Sequence, residues 1–110
     1  MKVAYVLNTD NSRTILRDMI IPQLEQGIHG AEVVGMFFLM DNTYMLLEDC
    51  EIGEKLQNLH EKLGIVLLAC DKCALEREVA DKMIAGASIG CFPTLYPTLN
   101  SAGVEHIITL

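Results

Sequence analysis

No run or stripe of basic residues appears anywhere in the chain, in which 8 Lys and Arg face 15 Asp and Glu for a formal charge of -7. That balance excludes a nucleic-acid ligand, because binding a phosphate backbone draws on clustered cations. Long hydrophobic runs are missing as well. The longest, Val33 to Met40 and Ile65 to Cys70, fall far short of the roughly 20 residues that span a bilayer, so no membrane partner is expected. The opening Met1-Lys2-Val3-Ala4-Tyr5-Val6-Leu7 meets polar Asn8 too early for a signal peptide and has no small-residue cleavage site, which makes the cytoplasm the expected setting. Asn8 to Ser12 lacks the glycines of a phosphate loop or dinucleotide fingerprint and reads as a helix cap or a pocket lining. His29, His60 and His106 lack HxxxH-type spacing and default to structural or solvated roles, His60 on the polar side of its helix. There is no internal repeat, low-complexity stretch or linker.

What is present is apolar. Hydrophobic residues make up 51% of 110 residues, enough for one domain, 1–110, to bury a core without metal or disulfide staples. The excess implies surface covered by a second copy, hence a homo-oligomer.

The pattern along the chain alternates strand and helix. Lys2 to Asn8 reads as a buried strand, followed from Ser12 by apolar positions Ile15, Leu16, Met19, Ile20 and Leu24 at helical spacing. Ser12 is the expected N-cap and Gly27 the stop, and Pro22 should kink or divide the helix. Val33 to Met40 reads as a strand covered on both faces. In the connection after it, Tyr44 to Leu47 is an apolar island, either a short helix on the core or a lid or subunit contact. Ile52, Leu56, Leu59 and Leu63 define a second helix closed by Gly64. A third strand, Ile65 to Ala69, runs into Cys70. Ala74 to Met83 reads as a short helix and an irregular return, and Ala87 to Gly90 as a fourth strand. Pro93 to Ala102 is a helix ended by Gly103, and Val104 to Leu110 a fifth strand. Five strands, most too apolar to be half-exposed, imply an α/β fold with a parallel sheet between helical layers.

Four cysteines without an export signal point to thiol, redox or metal chemistry rather than structural disulfides. Sites in open parallel sheets lie beyond the carboxyl ends of the strands, and Cys50, Cys70, Cys73 and Cys91 all map to that rim. Cys70 and Cys73 form a CxxC at a strand-to-helix junction, and a helix starting near Asp71 would favour a thiolate there, with Lys72 helping and Asp71 opposing. A spacing of three brings the two sulfurs onto one helical turn, close enough to join reversibly. Such a thiolate attacks disulfides or accepts sulfur as a persulfide. The plain alternative is that both are buried small hydrophobes. Cys50, flanked by Glu48, Asp49 and Glu51, and Cys91 are each as readily inert packing as functional. A zinc or iron-sulfur site on Cys50, Cys70, Cys73 and Cys91 is the alternative chemistry, weakened by the want of a second CxxC.

The segment Leu67-Leu68-Ala69-Cys70-Asp71-Lys72-Cys73-Ala74-Leu75-Glu76-Arg77, the opening strand with its polar loop, and the closing Gly103-Val104-Glu105-His106-Ile107-Ile108 resemble the DsrE/DsrF-like (DsrEFH) family of sulfur-relay proteins. The resemblance implies a three-layer α/β/α fold with a five-stranded parallel sheet of order 43215, assembled into trimers or hexamers. It implies that Cys70 accepts sulfane sulfur from a donor protein as a persulfide and passes it to an acceptor, as a sulfurtransferase without a bound cofactor. In that order Cys50, Cys70 and Cys91 stand on adjacent loops. The chain departs from the family pattern at Cys73, which opens disulfide release or metal binding, and at Glu78, where many members have glycine after the arginine.

Overall fold

The computed structural model describes residues 1–110. Five strands, β1 (Lys2–Leu7), β2 (Glu32–Phe38), β3 (Val66–Cys70), β4 (Ala87–Gly90) and β5 (His106–Thr109), form one sheet of order β4-β3-β2-β1-β5. Every neighbouring pair is parallel. Parallel neighbours need crossover connections, and the helical stretches supply them. The fold class and strand order agree with expectation.

Side chains alternate across each strand, and this divides the core in two. Val3 and Leu7, Met36 and Phe38, and Leu67 and Ala69 point to one face and join a 17-residue cluster with Leu16, Ile21, Ile52 and Leu56. Ala4, Val6, Phe37, Leu68 and Cys70 point to the other and form an 8-residue cluster with Cys73, Leu95 and Leu99. Full burial of a side chain such as Phe37 contributes about 2–3 kcal/mol, so even the smaller cluster is a substantial share of the stability.

The first helical stretch is α1 (Asn11–Ile15), a π-helical turn over Leu16–Ile20, and α2 (Ile21–Glu25). Pro22 has no amide to donate. The widened turn before it carries the chain past the proline, so the expected division appears as a change of helix type. Ser12 corrects expectation. It lies inside α1, wholly buried, with no hydrogen-bond partner for its hydroxyl, and the N-cap position falls to Asp10, which makes no side-chain cap. The Ser12 amide donates to the Thr9 carbonyl at 3.2 Å, so the turn begins earlier and rotates Ser12 into the protein.

β2 ends at Phe38, two residues before the expected limit, and Met40–Leu46 forms a 3-10 helix. Met45 and Leu46 are buried in the larger cluster, so this island is a short helix packed on the core, with Tyr44 left exposed. α3 (Glu51–Leu63) closes on Gly64, which adopts φ 70 and donates its amide to the His60 carbonyl. Leu63, expected on the apolar face, is exposed at the helix end. His60 is tied down rather than solvated: its Nδ1 donates to the Ile65 carbonyl at 2.8 Å.

α4 (Asp71–Glu76) starts directly at the end of β3, at the junction expected near Asp71 and ahead of the stretch from Ala74 read as helix. The irregular return that follows is pinned by an antiparallel bridge between Leu47 and Met83. α5 (Phe92–Ser101) takes Pro93 in its first turn and packs on β2 and β4. It leaves β5 uncovered. All four residues of that edge strand are exposed, contrary to the expectation for an apolar parallel strand. No helix is long and apolar enough to cross a membrane.

Candidate functional site

Cys70 is the last residue of β3 and sits opposite Gly90 of β4 in the sheet register. It also occupies the N-cap position of α4, so one residue ends a strand and begins a helix. Its side chain points into the smaller cluster and the residue is only 5% exposed.

Cys91 follows β4 at the N-cap position of α5, in extended conformation and half-buried. Gly90 makes this approach feasible. A Cβ there would lie 3.1 Å from the Thr94 side chain and 3.3 Å from Leu68 Cδ1, so a side chain at this position would press the start of α5 away from β3 by a few tenths of an ångström. The result is a three-donor group: Cys70 Sγ, Cys91 Sγ and a carboxylate oxygen of Asp71 all lie within 4.8 Å of one another. Asp71 Oδ1 also accepts the Lys72 amide at 2.7 Å, which anchors its carboxylate at the start of α4.

Cys73 is one helical turn further on, buried, and outside that three-donor group. Its thiol donates toward Met40 Sδ at 3.9 Å. Burial pushes the Cys73 thiol pKa up, and the neighbouring Cys70 adds to this, while the Met40 amide and the Arg77 guanidinium pull the other way. Arg77 closes the arrangement from outside. Its Nη1 donates to the Cys73 carbonyl at 3.2 Å and its Nε to Asp41 Oδ1 at 2.8 Å. Met40 adopts φ 53, an uncommon conformation for a side chain of its size, at the point where the 3-10 helix meets α4.

Cys50 stands at the N-cap of α3 and packs against the larger cluster, across the sheet from Cys70 and Cys91. The four cysteines thus share the carboxyl edge of the sheet but not one face. Asp71, read from the sequence only as an opposing charge, is instead a third member of the close group. Met40 and Asp41 gave no sequence signal, being 33 and 36 residues from the groups they touch.

Glu78 adopts φ 58, the left-handed conformation for which glycine is suited. The Glu78 amide donates to the Leu75 carbonyl and the Val79 amide to the Ala74 carbonyl, which together make a Schellman stop for α4. The turn therefore keeps a glycine-type backbone despite the glutamate. A cavity of about 710 Å³ lies at the opposite, amino edge of the sheet among Lys2, His29, Glu32, Gly64 and Ala102, and contains no cysteine. His29 there is a structural link, with Nδ1 donating to Gln23 Oε1 at 2.9 Å and Nε2 accepting the Tyr5 hydroxyl at 2.8 Å.

No family model and no curated protein matches the chain. Solved structures do. The ychN protein from E. coli superposes with a TM-score of 0.75 at 17% identity, covering 100% of this chain and 99% of that one. A protein of unknown function from Methanobacterium thermoautotrophicum, MTH1491, does so with a TM-score of 0.70 at 15% identity, covering 99% and 98%. At these identities the likeness is one of fold: the chain shares the α/β fold of these neighbours, with an all-parallel five-stranded sheet of order β4-β3-β2-β1-β5.

Proposed function

We propose that the chain is a cytoplasmic sulfur carrier, a sulfurtransferase that holds sulfane sulfur as a persulfide on Cys70 and passes it to a partner protein. The observation that carries this reading is the position of Cys70: the end of a buried parallel strand, the N-cap of a helix, and a second thiol within 4.8 Å. In the loading step the Cys70 thiolate attacks the outer sulfur of a donor persulfide. A bond forms between Cys70 Sγ and that sulfur, and the donor thiolate leaves with the electron pair of the broken S–S bond. Delivery is the same exchange with an acceptor thiolate, so the cycle consumes no reductant. A second exit uses Cys73, the thiol next along α4: its thiolate attacks Cys70 Sγ, a Cys70–Cys73 disulfide forms as hydrosulfide leaves, and this route, unlike exchange, needs an external dithiol to reset the pair.

Incubation with a sulfane-sulfur donor followed by intact mass measurement tests the reading. Wild type gains sulfur and Cys70→Ser does not. Equal uptake by the variant would exclude Cys70 as the carrier.

The same reading includes a homo-oligomer, a trimer or hexamer. Support comes from Phe92, Tyr96, Ile107 and Ile108, which are exposed on α5 and the uncovered edge strand β5. Light scattering of wild type against Ile107→Glu checks it, the substitution being expected to lower the assembly mass.

A second reading, a metal module, draws on one observation: Cys70, Asp71 and Cys91 supply three donors of the kind that bind zinc. The four-thiolate alternative requires Cys50, which packs on the other face of the sheet. Stoichiometric zinc or iron in anaerobically purified protein would favour this reading over the carrier.

A further inference from the structure

Cys70 is 5% exposed, which leaves little of it open to the cysteine of another protein. Cys91 is half-buried at the rim, and the residue after it, Phe92, is exposed. The two sulfurs lie within 4.8 Å of each other, across the ends of β3 and β4. A sulfane sulfur stands about 2 Å beyond the Sγ that carries it. One held on either cysteine therefore reaches to within van der Waals contact of the other, without movement of the strands. Cys73 also neighbours Cys70, but it is buried on α4 with its thiol turned to Met40 Sδ, so it offers no more access from outside than Cys70 does.

We propose that Cys91 is the port through which sulfane sulfur enters and leaves Cys70. The inference rests on the persulfide reading of Cys70 and deepens it by naming the residue that meets the partner. Inward transfer begins with a persulfide on Cys91. The Cys70 thiolate attacks the outer sulfur, a Cys70 Sγ–S bond forms, and the S–S bond to Cys91 breaks with its electron pair left on Cys91 Sγ. The proton given up by Cys70 ends on Cys91. The Asp71 carboxylate oxygen, within 4.8 Å of both sulfurs, is placed to relay it. Nothing is oxidised or reduced overall, because one S–S bond replaces another. Outward transfer is the reverse, so the bonded sulfur rests on the buried cysteine and is handed over from the exposed one.

Trypsin separates the candidates, since cleavage after Lys62, Lys72, Arg77 and Lys82 puts Cys70, Cys73 and Cys91 on different peptides. Full-length protein is given one equivalent of glutathione persulfide, sampled over time, alkylated and digested. In wild type the sulfur is expected first on the Cys91 peptide and then on the Cys70 peptide. In Cys91→Ser, loading of Cys70 should slow by roughly tenfold or more, the loss expected when an intramolecular step becomes bimolecular. In Cys70→Ser the sulfur should stay on Cys91, and Cys50→Ser, on the other face of the sheet, should behave as wild type. Loading of Cys70 at the wild-type rate in Cys91→Ser overturns the port while leaving Cys70 as carrier. Sulfur that stops on Cys91 in wild type overturns both. Mild oxidation of Cys73→Ser gives an independent measure, insensitive to sulfur chemistry: a disulfide joining the Cys70 and Cys91 peptides supports the proposal, and free thiols on both peptides oppose it. Tightly bound stoichiometric zinc that blocks alkylation of Cys70 and Cys91 also overturns it.

Discussion

Arg77 reaches from α4 to the 3-10 helix and donates from Nε to Asp41 Oδ1 at 2.8 Å, while its Nη1 donates to the Cys73 carbonyl at 3.2 Å. Residues 36 apart in sequence are thereby joined beside the buried Cys73. Asp41 is well exposed, and an ion pair in that setting adds little stability by itself. The effect of removing it is local. Arg77→Ala is expected to speed alkylation of Cys73, with Cys50 unchanged and the melting temperature little moved. Mass-resolved alkylation rates of the tryptic peptides measure this, and an unaltered Cys73 rate would show that Arg77 is not its cover.

Burial is the main cause of the raised Cys73 pKa, and the direction fixes the sign of a pH effect. The folded state favours the neutral thiol. Its contribution to stability is complete below the pKa of the unfolded thiol, about 8.5, and is lost as pH rises through the higher folded value. Urea unfolding of wild type and Cys73→Ala from pH 7 to pH 10 should show the two curves parallel at the low end. At the alkaline end wild type should lose stability faster, and curves that stay parallel throughout would refute the desolvation.

Glu78 occupies a left-handed position that disfavours any residue with a Cβ. Relief of that conformation is worth about 1–2 kcal/mol, set against about 0.4–1 kcal/mol for the freer unfolded chain that glycine gives. Glu78→Gly is therefore expected to stabilise the protein by roughly 0.5–1 kcal/mol on balance. A shift of the urea midpoint to higher concentration at constant slope would demonstrate it. Loss of stability would mean that the glutamate side chain makes a compensating contact.

Ser12 offers a test in which two readings differ in sign. An N-cap serine loses about 1 kcal/mol on replacement by alanine. A buried hydroxyl without a partner instead carries a desolvation cost of about 1–3 kcal/mol, which alanine removes. Ser12→Ala is expected to raise the unfolding midpoint. A fall of the size typical for a lost cap would restore the N-cap assignment.

The sequence by itself determined the architecture. Continuous apolar runs at β2 and β3, helical spacing through Ile52, Leu56 and Leu59, and stops at Gly64 and Gly103 act through neighbours within a turn or two, so they are legible one residue after another. Those signals placed Cys70 at the end of β3 and all four cysteines on one edge of the sheet. Which cysteines meet was decided by tertiary structure. The pleat sends Cys70 to the face covered by α5, the bare backbone of Gly90 brings Cys91 to it, and the connection through Leu47 carries Cys50 to the other face. Likewise Ser12 reads as a cap because capping is a local pattern, and only the fold shows it turned inward. Spacing along the chain measures contacts within an element; contacts between elements depend on which face each strand presents and how closely the next helix can approach.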